Sequence, residues 1–152
     1  MDKIDRRILN ALQADARASA QQVSDKVGLS PAPVWRRIKA LESGRVIQGY
    51  HARVDRHKVG LGACMFTQIS LDRHSAEVVE NFERAVLSSP EILECHVVTG
   101  DSDFLLKILV ESPEAYDAFL HNFLFNLPGV RQTRTIVALR EIKNETTLPI
   151  KD

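Results

Sequence analysis

Arg36, Arg37 and Lys39 sit close together in a stretch that reads as a helix, and what such a cluster does chemically is hold anions. At 100° per residue along positions 30–43, Val34, Ile38 and Leu41 fall on one side. Ala32, Pro33, Arg36, Lys39 and Ala40 fall on the other, with Trp35 and Arg37 on the flanks. Small residues near a helix start let the backbone approach a base edge, and Arg or Lys reaches guanine acceptors or phosphates. Ser30, ahead of Pro31, stands where a cap belongs, and free N–H groups at a helix start suit a phosphate oxygen. The same face also fits an ordinary solvated helix surface. Trp35 flanks the inner stripe and reads as a partly buried packing residue.

The elements around this helix favour the anion-binding reading. Ile4, Ile8, Leu9 and Leu12 form the apolar stripe of a helix over 3–14. Ser19 with Gln22 has capping-box spacing and opens a second helix, with Val23 and Val27 inside and Gly28 as a left-handed stop. Three short helices with a glycine turn before the last make a helix-turn-helix. The β-branched run 46–54 reads as a strand or a two-stranded wing. The segments are a DNA-binding domain over 1–54, a linker over 55–62 and a second domain over 63–152.

Net charge hides a division. The chain is neutral, with 20 Lys/Arg and 20 Asp/Glu. Residues 1–58 hold twelve Lys/Arg against six Asp/Glu, and the remainder eight against fourteen. A basic half joined to an acidic half suits a nucleic-acid module fused to something else. A composition of 44% hydrophobic and 26% charged residues argues against a disordered chain. Two cysteines and no leader-like start argue against a disulfide-stapled secreted domain. No apolar run approaches the roughly 20 residues that cross a bilayer. These features predict a cytoplasmic protein.

The second half reads strand 63–71, helix 75–87, strands 92–98 and 104–110, a helix from Ser112-Pro113, and strand 130–139. This β-α-β-β-α-β order is the ferredoxin-like arrangement, so the fold class is α+β. Several strands are apolar on both faces, which predicts self-association through the sheet. The turn Thr99-Gly100-Asp101-Ser102-Asp103 carries two carboxylates and a glycine. It is an ordinary turn by composition. It also has what a free amino acid requires: a negative partner for the ammonium, and backbone N–H groups or hydroxyls for the carboxylate. Thr133 and Thr135, two apart on the last strand, share a face and join this candidate site.

Catalytic chemistry has little support. His51, His57, His74, His96 and His121 are scattered, and no Cys-x-x-Cys or His-Glu-x-x-His spacing indicates a metal. Cys95 and His96 point to opposite faces of a strand. No phosphate-cradling loop, dinucleotide fingerprint or nucleophile elbow is present. The expectation is a non-enzyme without cofactor or metal.

These residues together resemble the leucine-responsive regulatory protein/AsnC (feast/famine) family of bacterial regulators. Asp2-Lys3-Ile4-Asp5-Arg6-Arg7-Ile8-Leu9 is similar to the family's opening helix. Val27-Gly28-Leu29-Ser30-Pro31-Ala32-Pro33-Val34 with Arg37-Ile38-Lys39-Ala40-Leu41-Glu42 is similar to its turn and recognition helix, and Val46-Ile47-Gln48-Gly49-Tyr50 to its wing. The run from Glu94 to Lys107 is similar to its effector turn, and Leu127-Pro128-Gly129-Val130 to its last turn. Thr146-Thr147-Leu148-Pro149-Ile150 resembles the tail of one branch.

The resemblance implies an N-terminal winged helix-turn-helix and a C-terminal RAM domain, an αβ sandwich that dimerises through its sheet. It also implies higher assembly such as an octamer, double-stranded DNA as partner, nucleoid association and an amino-acid effector at Gly100, Asp101 and Asp103. Asp103 is the acid expected to hold the ammonium.

Two departures bear on it. Ser102 replaces the large residue many relatives carry. Gly44 stands one place early; Arg45 in a left-handed cap would be strained by roughly 1 kcal/mol, so the helix is expected to end a residue sooner. Rival readings are an amino-acid-sensing module acting on a protein partner, an architectural DNA-binding protein, and a small hydrolase on the same scaffold. The hydrolase lacks its anion-binding loop.

Overall fold

The computed structural model describes residues 1–72 and 75–151; His74 and Asp152 lie outside them. The chain forms two units, Met1–Arg53 with Lys143–Asp152, and Val54–Ile142. The division differs from the predicted one at the C-terminus, where the tail packs with the first unit and not with the second.

In the first unit, α1 spans Lys3–Ala14, α2 Ala20–Val27 and α3 Pro31–Ser43. Each starts where a cap can be made. Asp2 and Asp5 exchange side-chain-to-backbone bonds at 2.9 Å in both directions. Ser19 and Gln22 do the same at 3.2 and 2.8 Å. Gly28, at φ +75°, ends α2 in the left-handed conformation that glycine adopts without strain. Ile8, Leu9, Leu12, Val23, Val27, Val34 and Leu41 form the core.

The end of α3 departs from the usual glycine stop. Val46 N donates to Leu41 O at 2.9 Å and Arg45 N to Glu42 O at 3.0 Å, the paired bonds of a Schellman motif. The left-handed position falls on Arg45, at φ +53°, and Gly44 remains at φ −78°. The expected earlier end is therefore corrected: the helix runs to Ser43 and Arg45 takes the strained left-handed cap, held by those two bonds. Beyond it no strand forms: 46–54 is irregular, so the predicted wing is corrected to a loop. A strand needs a backbone partner, and none pairs with this run among the described residues. Val46 and Val54 stay exposed.

In the second unit, β1 (Ala63–Leu71), α4 (Ala76–Ser88), β2 (Ile92–Val97), β3 (Phe104–Val110), α5 (Pro113–Asn122) and β4 (Val130–Val137) follow the predicted order. A short 3-10 turn at Leu124–Asn126 takes over where the sequence predicts that α5 continues. The sheet order is β2-β3-β1-β4, all pairs antiparallel. Met65, Ile69, Leu106 and Ile108 meet Phe82, Val86, Tyr116 and Leu124 in the core beneath the helices. Register places Phe66, Gln68, Leu105 and Lys107 on the opposite face.

Candidate functional site

The exposed side of α3 carries what the periodicity predicts. Ala32, Arg36, Lys39 and Ala40 are exposed and Pro33 is half-buried, while Val34 and Leu41 are buried below. Ser30 caps by backbone conformation alone: its hydroxyl makes no capping bond. Trp35, expected to be partly buried, is 55% exposed.

The three cations differ in what they already hold. Arg37 Nη1 donates to Asp2 Oδ2 and Asp5 Oδ1, both at 2.7 Å. Hydrogen bonds to Asp5 and then Asp2 raise the Arg37 pKa, and backbone bonding at Asp5 with the Arg37 contact lowers that of Asp2. Lys39 Nζ donates to Glu42 Oε2 at 2.8 Å, and Tyr50 Oη donates to Glu42 Oε1 at 3.0 Å. Lys39 first, then Tyr50, holds the Glu42 carboxyl below its ordinary pKa. Arg36 makes no hydrogen bond or ion pair among the described residues. The Asp2/Asp5 clasp escaped the periodicity argument, although Asp-x-x-Asp at a helix start is a capping-box spacing and signals it.

In the second unit the turn at 98–103 is fastened to β1. Asp103 N donates to Ile69 O at 2.9 Å, and Val98 N to Asp103 O at 3.0 Å. The Asp103 carboxylate accepts from Leu71 N at 2.8 Å, beside the register shift between Ser70 and Leu71. Ser70 Oγ donates to Asp101 O at 3.3 Å. Gly100 stands at φ +113°, a conformation that a side chain would strain, next to Thr99. Asp101 and Ser102 line a concavity of about 130 Å³ with Gln68, Ser70, Gln132 and Arg134.

Thr133 and Thr135 are not brought to that concavity. They pair with Ile69 and Thr67 on the helix-covered face, opposite Gln132 and Arg134. Thr135 Oγ1 and Thr67 Oγ1 both bond Tyr116 Oη, at 2.6 and 2.8 Å. Thr133 Oγ1 is buried without a hydrogen-bond partner among the described residues. The two-residue spacing says they share a face; it does not say which one. Gln68, Gln132 and Arg134, which sequence reasoning missed, follow from the strand register.

On the other face of the sheet, Glu94 Oε1 accepts from Lys107 Nζ at 2.9 Å, and His96 Nε2 lies 3.3 Å from Glu94 Oε2. The Lys107 bond lowers the Glu94 pKa, and the same bond raises that of Lys107. No described helix is long and apolar enough to cross a membrane.

A three-helix unit presenting a cationic helix face, joined to a βαββαβ unit with a polar concavity, defines a DNA-binding regulator with an appended ligand-binding domain. Residues 1–42 match the AsnC-type helix-turn-helix domain, and residues 64–148 the Lrp/AsnC ligand binding domain. The chain is 44% identical over 151 residues to the leucine-responsive regulatory protein of Escherichia coli (strain K12), covering 99% of this chain and 92% of that protein. An AsnC family transcriptional regulator from Agrobacterium tumefaciens superposes with a TM-score of 0.93 at 36% identity, covering 98% of this chain and 97% of that one. A Neisseria meningitidis transcriptional regulator solved with L-Met gives 0.92 at 34%, covering 98% and 96%. The chain therefore belongs to the Lrp/AsnC family of transcriptional regulators, with a DNA-binding helix-turn-helix and a small-molecule-binding domain.

Proposed function

We propose that α3 enters the major groove of double-stranded DNA, with Ala32, Pro33, Arg36 and Ala40 against base edges. Lys39 and Ser30 contact phosphates, and Arg37 adds its charge from the flank while holding α1. The carrying observation is Arg36: an exposed guanidinium between two alanines of the same helix face, with no partner among the described residues. Such a group reaches guanine acceptors without first breaking an ion pair. A DNA ligand locates the protein in the bacterial cytoplasm, with the nucleoid. Retardation of the DNA upstream of its own reading frame, measured from low to high salt, tests this; affinity falls steeply as salt rises. Absence of retardation at low salt contradicts it.

The effector is an amino acid seated at the turn Thr99–Asp103. The Neisseria relative's L-Met supports the class. Asp101, with Asp103, faces the ammonium, and Gly100 lets backbone come close to the ligand. Arg134 and Gln68 face the carboxylate, and Thr133 and Thr135 support that strand from behind. The open sheet face, with Phe66, Leu105 and the half-exposed Ile136, pairs with a second copy. Dimers built on it associate further, to an octamer, and place two recognition helices in successive major grooves about 34 Å apart.

A further inference from the structure

Arg6, Asn10 and Gln13 stand four and three residues apart along α1, so they line one side of the helix, away from Ile8 and Leu12. All three are engaged by the C-terminal tail. Gln13 Nε2 donates to Leu148 O at 3.2 Å, and Leu148 N donates back to Gln13 Oε1 at 2.7 Å. Asn10 Nδ2 donates to Ile150 O at 3.1 Å, and Arg6 Nη1 to Lys151 O at 3.1 Å. The amide of Gln13 thus treats Leu148 as a neighbouring strand would, satisfying both its N–H and its C=O. Pro149 fixes its own φ, and Ile150 N bonds Leu148 O at 2.9 Å, a tight turn that brings the next carbonyl to Asn10. Ile150 packs its side chain on the core of the first unit. Upstream, Arg53 Nη2 donates to Asn144 O at 2.7 Å, and Arg53 Nη1 lies 3.6 Å from Glu145 Oε2.

We propose that the polar side of α1 is a peptide-docking site whose occupant is this chain's own residues 144–151, and that the docked tail is a strap on the DNA-binding unit. A three-helix core of about 50 residues is only marginally stable by size, and the strap adds polar bonds to α1 and the apolar contact of Ile150. Its bonds are mostly solvent-exposed and only Ile150 is partly buried, so it opens in local fluctuations far cheaper than global unfolding. The chain crosses between the units at 53/54 and again at 142/143, and the second crossing ends on α1. Opening the strap loosens α1 and, through Arg37, α3.

The test is amide hydrogen exchange on the full chain in Gln13→Ala, in Leu148→Pro (which removes the N–H that Gln13 accepts), and in the double variant. Exchange of α1 amides rises at least fivefold in each single variant and no further in the double, because both cut one contact. Exchange in β1 and β3 stays at the wild-type rate. Ile150→Asp, which breaks the apolar anchor, reproduces the α1 effect independently. Unchanged α1 exchange in all variants, or additive effects in the double, overturns the strap. The readout uses no DNA, so failure of the wild-type chain to bind DNA removes the function proposed above and leaves this inference standing.

Discussion

The guanidinium of Arg37 on α3 lies 2.7 Å from the carboxylate of Asp5 on α1, and Asp5 also closes the cap on α1 by accepting from Asp2 N. One carboxylate therefore starts the first helix and fastens the recognition helix to it. Arg36, one residue earlier and about 100° around α3 on its exposed face, has no such duty. Arg37→Ala should lower the thermal midpoint of the first unit by several degrees, and Arg36→Ala should leave it within about one degree, because lost structural contacts lower the midpoint and an exposed side chain without partners contributes little. Differential scanning calorimetry checks the contrast.

Acid should loosen the same clasp. The Asp2 carboxyl is held below its ordinary 3.8 by its bond to Asp5 N and then by Arg37. A carboxyl depressed in the folded state contributes stability that is complete above its unfolded pKa and is lost as pH falls through the folded one. The first unit should therefore weaken below about pH 4, and Asp2→Asn should flatten that part of the pH profile. Thermal midpoints from pH 5 to pH 2 measure it.

Arg45 offers a gain. Its left-handed backbone, at φ +53°, is a conformation that glycine adopts freely and arginine does not. Arg45→Gly should stabilise the first unit by about 1 kcal/mol, read as a shift of the urea midpoint at constant slope. An unchanged or lower midpoint would mean that the arginine side chain contributes more than the strain removes.

The two acids of the turn 99–103, the proposed effector site, should separate. Asp103 accepts from Leu71 N and so braces the turn against β1, whereas Asp101 lines the concavity. Asp103→Ala leaves a part-buried N–H without its acceptor, which costs about 1–3 kcal/mol, so it should lower the midpoint of the second unit as well as blunt the effector response. Asp101→Asn should blunt the response alone. A thermal-shift screen of both variants against the twenty amino acids reads both effects.

The three helices of the first unit are legible from helical periodicity because α1, α2 and α3 each have a buried stripe and an ordinary start signal. Ser19-Gln22, Gly28 and Ser112-Pro113 are local rules with local causes, and they appear in the structure as read. What the sequence did not disclose is non-local. The run 46–54 has strand-like residues but no partner strand among the described residues. Thr133 and Thr135 are polar, yet they turn inward, because Thr135 finds Tyr116 beneath the sheet. The tail, at 144–151, has no periodicity, and its seat on α1 depends on side chains more than 130 residues away.

Arg36, on the open face of α3, is the side chain proposed to meet DNA. The most direct measurement is the dissociation constant of the chain for its upstream promoter DNA, at several salt concentrations, for wild type and for Arg36→Ala. Affinity should fall about tenfold or more in the variant, with its fold and assembly intact. Equal affinity at every salt concentration would contradict the assignment of that face.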